Sequence, residues 1–251
     1  MQRYSTWLTH DHGSSGVEKE FWRLMNQMSS QMMKTIRPTK FVSAFVDAYG
    51  RFVVGHQQDS HEFLMVMLDR INILEKLATG VMKEEVECQA CLEKSLHSED
   101  FTCLSIEIPK AEKHHVPIEL ESCIRETLSN EMVIDDDWAC TSCGGTFAEK
   151  SMQVASLPSV LLLHLKRFVL TDKGYQKNQR VVRLPEFFMM HTTKYQVIGT
   201  VNHWGASMNS GHYTANINAG QWKCCDDLKI SASGNLKEYS SEIYLVVCQK
   251  C

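Results

Sequence analysis

Two residues near the C-terminus, His212 and Asp226, have the types and the spacing of a general base and the carboxylate that orients it. The alternating residues 213–217 and 221–225 predict two antiparallel strands joined by a three-residue hairpin loop. A loop symmetric about Ala219 sets His212 opposite Asp226, with Cβ atoms roughly 5 Å apart. A carboxylate there fixes the tautomer of a proton-accepting imidazole. A register change of one residue would separate the pair, and the structural alternative is a strand-end histidine satisfied by any nearby acid.

Four of the ten cysteines form two Cys-x-x-Cys pairs, Cys88 with Cys91 and Cys140 with Cys143. Each pair has the spacing of a knuckle turn, and two knuckles complete a tetrahedral four-thiolate zinc site. The pairs lie farther apart than the roughly 15–20 residues of a compact zinc ribbon, which predicts that they sit at the base or the tip of an extended insertion. A closed site has no open coordination position, so the predicted Zn²⁺ is structural. The alternatives are chance and a thioredoxin-like redox pair, for which the sequence shows no βαβ pattern.

The elements that must position these residues change from helical at the start of the chain to β-rich at its end. Apolar residues at helical spacing predict helices within residues 21–32, 41–49 and 59–71, and Asp59 with Glu62 forms a capping box for the third. Strands are predicted at 101–108, 157–168, 195–203 and 242–248. We interpret the apolar stripe of the first helix as core; it consists of Phe21, Leu24, Met25, Met28 and Met32.

Composition narrows the class of protein. Hydrophobic residues make up 43% of the 251 residues and charged residues 22%, which is typical of one large or two small globular domains. The net charge of −4 and the lack of a basic stripe argue against a nucleic-acid partner. No apolar run approaches the ~20 residues of a membrane span, and no signal-peptide core is present at the N-terminus. The arrangement of the cysteines is not that of a secreted disulfide scaffold, so we predict a reducing compartment, the cytoplasm or the nucleus.

Several stretches resemble, in the same order, the sequence boxes of the ubiquitin-specific proteases. Residues 57–64 (QQDSHEFL) resemble the glutamine–aspartate box of that family, and residues 157–168 (LPSVLLLHLKRF) resemble its LPxxLxxHLKRF strand. His203-Trp204-Gly205 followed by Gly211-His212-Tyr213 is similar to its histidine box. Trp222 with Asp226 and Asp227 resembles its W…DD element, and the two cysteine pairs match its zinc site. The resemblance runs from about residue 40 to the C-terminus.

The resemblance implies a papain-like cysteine protease of the α+β class that cleaves after the C-terminal glycine of ubiquitin. A single protease domain over residues 1–251 would comprise a partial helical thumb (1–87), zinc-bearing fingers (88–150) and a β-rich palm (151–251). His212 would be the base and Asp226 its orienting residue, and Asp227 would share that role or hold the loop. The implied cofactor is structural Zn²⁺, and the implied partners are ubiquitin, ubiquitinated proteins or a ubiquitin-like modifier with the same Gly-Gly end. The residues implied to bind the ubiquitin tail are Gln57, Gln58 and Asp59.

The nucleophile of this family is a cysteine in a GNTC-type box near the start of the domain, and the sequence contains no such box. Residues 1–87 contain no cysteine. Cys224 is predicted to be a strand residue and Cys225 stands where the family has an aromatic residue, so neither is the expected nucleophile. Trp204 stands where a small residue is common and is expected to narrow the floor of the site.

Two hypotheses follow for the chain, which is predicted to be inactive alone. The first is a thiol-dependent deubiquitinase whose first segment is missing from this chain. The second is a catalytically inactive ubiquitin-binding pseudoenzyme or scaffold. The intact pair of His212 and Asp226 favours the first, because a binding protein has no need of it.

Overall fold

The helical start of the chain and its β-rich end fall into two structural units, residues 1–75 and 76–251. The computed structural model describes residues 16–30, 35–109, 116–129, 131–134, 138–172, 174–207, 210–236 and 239–251. Helices precede strands along the chain, with one helix inserted among the strands. The predicted α+β class is therefore confirmed.

The first unit is built from helices in the order that the apolar spacing predicts. They are α1 (Gly16–Ser29), α2 (Thr39–Ala48), α3 (Ser60–Arg70) and the unpredicted α4 (Asn72–Ala78), which crosses into the second unit. The side chain of Asp59 caps α3, because its Oδ1 accepts hydrogen bonds from the backbone N–H groups of His61 (2.7 Å) and Glu62 (3.0 Å). The carboxylate of Glu62 forms an ion pair with Arg51 at 3.1 Å.

An aromatic cluster forms the core of the first unit. Phe41 and Phe45 of α2 pack with Phe52, and the partly buried Phe21 and Leu24 of α1 pack against this cluster. The side chain of Met28 is 60% exposed, and Met32 lies outside the described residues. The interpretation of the whole α1 stripe as core was therefore wrong for Met28, because the packed part of the stripe ends near Leu24.

The second unit contains one more helix and seventeen strands in its described part. In chain order these elements are β1 (Gly80–Cys88), β2 (Lys94–Phe101), β3 (Leu104–Glu107), β4 (Ile118–Glu119), α5 (Leu120–Thr127), β5 (Glu131–Ile134), β6 (Phe147–Ser156), β7 (Val160–Lys166), β8 (Phe168–Thr171), β9 (Gly174–Lys177), β10 (Val182–Arg183), β11 (Phe187–Met190), β12 (Thr193–Ser207), β13 (Ser210–Asn218), β14 (Trp222–Asp226), β15 (Lys229–Gly234), β16 (Tyr239–Ser240) and β17 (Ile243–Lys250).

An eight-stranded sheet carries the hairpin that was singled out from the sequence. Its order is β15-β14-β13-β12-β17-β7-β3, and β11 also pairs with β12. The strand β7 is central, between β17 and β3, and it is buried on both faces, since Leu162 is buried on the face opposite to Leu161 and Leu163; this explains its continuous apolar run. Leu161, Leu163 and Leu165 on β7 are fully buried, and α5 packs Leu120 and Cys123 into the same core.

A second sheet, four-stranded and antiparallel in the order β2-β1-β6-β5, carries the two cysteine pairs at one end. The sequence analysis did not predict β1, β2, β5 or β6. The strand β2 is almost wholly exposed, so it lacks the alternation of buried and exposed residues on which such predictions depend. The sheet extends over residues 80–101 and 131–156, a wider range than the predicted fingers region of 88–150.

Arg167 directly follows β7. The strand ends at Lys166, so it is shorter than the predicted strand 157–168. The guanidinium group of Arg167 is fully buried and donates to four backbone carbonyls, those of Ile243, Asn178, Arg180 and Ser240. Burial lowers the pKa of Arg167 to about 10, which leaves the group charged at neutral pH. This arginine therefore ties β7 to the start of β17 and to the loop before β10.

Candidate functional site

The imidazole of His212 and the carboxylate of Asp226 meet, as the sequence predicts. His212 lies on β13 and Asp226 ends β14, and the distance from His212 Nε2 to Asp226 Oδ1 is 2.6 Å. Both side chains are about half exposed. The pair therefore lies at the surface of the second unit, where a substrate has access to it.

The predicted register of this hairpin was wrong by two residues. Asn218 pairs with Trp222 and Ala215 with Cys225, so the loop is centred on Gly220, whose φ of +88° suits the turn. Continuing this register would place Asp226 opposite Thr214, which makes His212 its diagonal neighbour. A shift by two keeps every side chain on its predicted face, and for this reason the His–Asp contact is still formed.

The hydrogen bond sets both the tautomer and the charge of His212. A neutral imidazole that donates from Nε2 to a carboxylate keeps its lone pair on Nδ1, so Nδ1 is the atom able to accept a proton. The hydrogen bond to Asp226 raises the pKa of His212 above its ordinary value, and the charge of Asp227 acts in the same direction. The arrangement is suited to general-base chemistry at Nδ1.

Asp227 occupies the turn after β14 with a left-handed backbone, φ +48°. Donor atoms of His212, Asp226 and Asp227 all lie within 4.8 Å of one another. The structure therefore brings together all three residues predicted for this site. The assignment of catalytic roles among them stays a prediction.

A buried polar ladder supports the face that carries His212, and the sequence analysis missed it. Thr200 and Asn202 on β12 pair with Asn216 and Thr214 on β13, and all four side chains are buried. Their side chains bond to one another, and Thr214 Oγ1 also accepts from Trp204 Nε1 at 2.9 Å. The repeated Thr-x-Asn at 200–202 and 214–216 was the available sequence signal. Satisfied polar groups of this kind hold neighbouring strands in one arrangement.

Trp204 pairs with His212 across β12 and β13, so its indole shares the face of the candidate site. The side chain is 42% exposed and is fixed by its hydrogen bond to Thr214. The prediction that Trp204 narrows the site concerns a substrate that the structure does not contain, and it stays a prediction.

Gly211 precedes His212 because the buried ring of His203 fills the space that a side chain would need. A Cβ atom at Gly211 would lie 2.2 Å from His203 Nε2 and 2.6 Å from the carbonyl oxygen of Trp204. Beside it, Gly205 has a φ of +129°, and the pairing of β12 with β13 shifts register between Trp204 and Ser207. This close packing next to a β-bulge fixes the direction in which His212 leaves the strand.

The four paired cysteines form one cluster at the end of the four-stranded sheet. The Sγ atoms of Cys88 and Cys143 are 3.7 Å apart and those of Cys91 and Cys140 are 3.6 Å apart, with all four within 4.8 Å. Four thiolates about 2.3 Å from one Zn²⁺ would be about 3.8 Å from each other in a regular tetrahedron. The donor set and its spacing therefore fit a tetrahedral metal ion.

The two knuckles have the same backbone geometry. In the first, the N–H of Leu92 donates to the carbonyl of Cys88 and the N–H of Cys88 donates to the carbonyl of Glu93. In the second, Gly144 donates to Cys140 and Cys140 donates to Gly145 in the same way. Leu92 and Gly144 are also both left-handed, with φ of 62° and 74°. This internal equivalence shows that each turn is shaped for ligation, which a chance pair of Cys-x-x-Cys motifs would not explain.

The antiparallel pairing of β1 with β6 brings the two distant knuckles together. Cys88 ends β1 opposite Ala148 of β6, and the N–H of Gln89 donates to the carbonyl of Phe147. Backbone N–H groups of Cys91 and Ala90 lower the pKa of Cys88, which favours its thiolate form, whereas the neighbouring Cys143 thiol raises the pKa of Cys91. The cluster lies at the tip of the sheet, one of the two positions that the sequence analysis left open.

The remaining thiols differ sharply in their surroundings. Burial raises the pKa of Cys103 to about 12 and that of Cys123 to about 11, and it also raises the pKa of Cys248. Cys224 and Cys225 are half-buried neighbours of Asp226 on β14. Desolvated thiols are poor nucleophiles, because the thiolate is the reactive form.

The predicted tail-binding residues Gln57, Gln58 and Asp59 belong to the first unit, whereas the His212 site belongs to the second. Gln57 is exposed, and the other two are half-buried at the N-terminus of α3. Asp59 acts there as the helix cap. Its second predicted role, in binding a substrate tail, stays a prediction.

Comparison with known proteins places these features in one family. Residues 1–245 match the family model described as ubiquitin carboxyl-terminal hydrolase. The chain is 25% identical over 265 residues to ubiquitin carboxyl-terminal hydrolase 25 of Arabidopsis thaliana, covering 92% of this chain and 38% of that protein. It is 26% identical over 269 residues to ubiquitin carboxyl-terminal hydrolase 8 of Saccharomyces cerevisiae, covering 88% of this chain and 56% of that protein. The chain therefore spans about half or less of the length of these curated relatives.

Solved structures give the same answer for the fold. The fold is similar, with a TM-score of 0.80 and 23% identity, to the SAGA DUB module of Ubp8, Sgf11, Sus1 and Sgf73 bound to monoubiquitin, covering 95% of this chain and 59% of that one. The same module bound to ubiquitin aldehyde gives a TM-score of 0.79 at 20% identity. These similarities confirm the predicted fold. Among the described residues, the helices are too short or too polar to cross a membrane. The match over residues 1–245 shows that the chain belongs to the ubiquitin carboxyl-terminal hydrolase family.

Proposed function

We propose that this chain is part of a thiol-dependent deubiquitinase, which binds ubiquitin and hydrolyses the bond after its C-terminal glycine. The observation that carries the proposal is the 2.6 Å contact between His212 Nε2 and Asp226 Oδ1 in a member of this hydrolase family. A pair of this kind serves acyl transfer, because the imidazole must take a proton from the attacking thiol and later return it to the leaving amine.

In the proposed mechanism, Nδ1 of His212 accepts the thiol proton while Nε2 donates to Asp226. The carboxylate holds the ring in the tautomer that leaves Nδ1 free to accept, and it stabilises the imidazolium that forms. Asp227, in its left-handed turn, adds negative charge close to the ring and limits the positions open to Asp226. Gln57, Gln58 and Asp59 are proposed to contact the extended tail of ubiquitin.

The proposed cofactor is one structural Zn²⁺ held by Cys88, Cys91, Cys140 and Cys143. Bound there, the ion would tie the β1–β2 turn to the segment before β6 and so stabilise the four-stranded sheet. We propose this sheet as the fingers, the eight-stranded sheet as the palm and the helices of the first unit as part of the thumb. Because zinc binding needs reduced thiols, the cytoplasm or the nucleus is the proposed compartment.

A second candidate function is a ubiquitin-binding pseudoenzyme or scaffold, and it is favoured by one sequence observation. Residues 1–87 contain no cysteine, although the nucleophile of the family lies near the start of the domain. Under either function we expect the purified 251-residue chain to bind ubiquitin without cleaving it. An oxyanion hole alone accelerates acyl transfer by only about 10³–10⁴ over water, which an ordinary fluorogenic assay would not detect.

Three measurements on one zinc-loaded sample test the proposal. Circular dichroism establishes folding, calorimetry measures ubiquitin binding, and a fluorogenic C-terminal amide of ubiquitin measures hydrolysis. We expect binding without hydrolysis, and we expect His212→Ala to leave the affinity unchanged. Folded protein that fails to bind ubiquitin would refute the scaffold function and leave ubiquitin recognition unsupported.

The control variants Cys224→Ala and Cys225→Ala address the expectation that the chain lacks its own nucleophile. Both thiols lie on β14 beside Asp226, and either substitution removes one thiol without touching the four-cysteine cluster. Hydrolysis by the unaltered chain that disappears in one of these variants would identify that cysteine as the nucleophile. The expectation of binding without cleavage would then be wrong.

A further inference from the structure

We propose that Lys177 is a positioning residue for His212, because its ammonium group takes the place of a missing neighbouring strand along β12. The inference rests on the proposed role of His212 as the base. It starts from a buried lysine that has no part in the mechanism described above. The side chain of Lys177 is only 2% exposed, although lysine is among the residues least often buried.

All three hydrogens of this ammonium group have an acceptor. Nζ of Lys177 donates to the carbonyl of His203 at 2.6 Å, to the carbonyl of Gly205 at 3.0 Å and to the carboxylate of Glu242. An ammonium group has three donors and no acceptor, so this set satisfies it completely. The carboxylate of Glu242 compensates the buried charge, and its side chain is 20% exposed.

The two carbonyls belong to residues 203–205 of β12, which extend beyond the last residue that pairs with β17. Pairing of β12 with β17 ends at Asn202 opposite Ile243, and one more backbone bond follows, from His203 N–H to the carbonyl of Glu242. The carbonyls of His203 and Gly205, two residues apart on β12, both face the same ammonium group. Among the described residues, Lys177 donates a hydrogen bond to each of them.

The same part of β12, residues 203–205, pairs through its first two residues with the part of β13 that carries His212. Pairing of β13 with β14 is limited to residues 215–218, whereas His212 pairs with Trp204 on β12. Trp204 lies between the two residues whose carbonyls Lys177 binds. The position of the His212 ring relative to Asp226 therefore depends on where β12 lies. Lys177 fixes the position of β12 at this point through its two hydrogen bonds.

A purely structural role would not require a lysine. Replacing a buried ion pair with apolar groups of similar size is often neutral or stabilising for the fold. An apolar residue at 177 would, however, leave two carbonyls of β12 without their donor next to a β-bulge, where the ladder is already irregular. The lysine is therefore needed for the geometry of the His212–Asp226 contact.

The test is a pH titration of the His212 ring by NMR in the folded, zinc-loaded chain carrying Lys177→Met. We expect the pKa of His212 to fall toward its ordinary value of 6.5, because the strand carrying the ring loses its fixed distance from Asp226. We also expect the downfield Nε2–H signal of the hydrogen-bonded ring to be lost. Loss of global stability alone would leave the titration of the folded state unchanged, so the readout separates positioning from general destabilisation.

Two control variants isolate the cause. Lys166→Met removes a lysine of the same sheet whose ion pair with Glu107 is about half exposed, and the pKa of His212 should stay at its wild-type value. Glu242→Gln removes the negative charge but leaves Lys177 its two carbonyl acceptors, so His212 should titrate close to wild type. A loss of the raised pKa in Glu242→Gln as large as in Lys177→Met would show that charge and not the carbonyl contacts matters, and would overturn the proposal.

If Lys177→Met does not fold, the double variant Lys177→Met/Glu242→Gln decides the question, because it removes both charges and buries none without a partner. Folded Lys177→Met, or the folded double variant, with a wild-type titration of His212 would also overturn the proposal. The measurement needs no substrate and no nucleophile. A failure to bind ubiquitin would therefore count against the proposed function without affecting this test.

Discussion

The substitution Gly211→Ala tests how closely the sheet is packed behind the candidate base. The new Cβ atom would lie 2.2 Å from His203 Nε2, whereas an ordinary contact is at least 3.4 Å, so the imidazole would have to move by about 1.2 Å. That ring is 2% exposed and is enclosed by the rings of Phe168 and Tyr213, with centroids 5.2 and 5.0 Å away. The second clash, at 2.6 Å, is with the backbone carbonyl of Trp204, which cannot rotate away.

From this geometry we expect Gly211→Ala to lower the free energy of unfolding by about 2–3 kcal/mol, the upper part of the range for overpacking. The measurement is urea denaturation of the zinc-loaded chain followed by circular dichroism, with comparison of midpoints at an unchanged m-value. Because His212 is the next residue, we also expect the ring to lose part of its contact with Asp226, which NMR titration would detect as a lower pKa.

Two other glycines provide a graded control. Gly199→Ala introduces a Cβ atom 3.3 Å from the carbonyl of Asn216 on the same pair of strands and should cost less than ~1 kcal/mol. Gly50→Ala meets nothing within 4 Å and should be close to neutral. If Gly211→Ala cost less than about 0.5 kcal/mol, or no more than Gly199→Ala, the argument from packing behind His212 would be refuted.

Three further predictions concern the dyad and the cysteine cluster. Asp226→Ala should lower the pKa of His212. Because the wild-type folded-state pKa is raised, the variant should have a lower free energy of unfolding only at acidic pH, and the difference should vanish as the pH rises through that pKa. An equal loss of stability at alkaline pH would contradict this. Cys140→Ser should reduce zinc from about one ion per chain and lower stability by several kcal/mol, as measured by metal analysis and thermal melts; an unchanged melt or a zinc-free wild type would exclude the four-cysteine site. Leu92→Gly should keep the zinc and raise stability by up to ~1 kcal/mol, because Leu92 has the left-handed backbone that Gly144 adopts in the other knuckle; loss of zinc would show that the leucine side chain is required.

The features that could be read from the sequence are those set by neighbouring residues. The hydrogen bonds of each knuckle lie within six consecutive residues, so a Cys-x-x-Cys pair predicts its turn without any distant partner. The cap of α3 is a contact between Asp59 and the next turn of backbone, and the apolar spacing of α2 and α3 needs no distant partner to be visible. The contact of His212 with Asp226 was also predictable, because strand periodicity fixes the face of each side chain even when the loop is misplaced.

The features that only the tertiary structure decided depend on strands that are far apart in sequence. The hairpin register differs by two from that of the predicted loop centred on Ala219, and β14 is held in the observed register by its pairing with β15 as well as with β13. Lys177 finds its acceptors 26 to 65 residues away, and no local pattern distinguishes it from an exposed lysine. Each Cys-x-x-Cys pair can be recognised locally as half of a metal site. The ladder between β1 and β6 brings the two halves together. Local spacing therefore determined which side chains form the candidate His–Asp pair and the cysteine cluster, whereas long-range strand pairing determined how these groups are held in place, because a ladder is stabilised only when both of its strands are present.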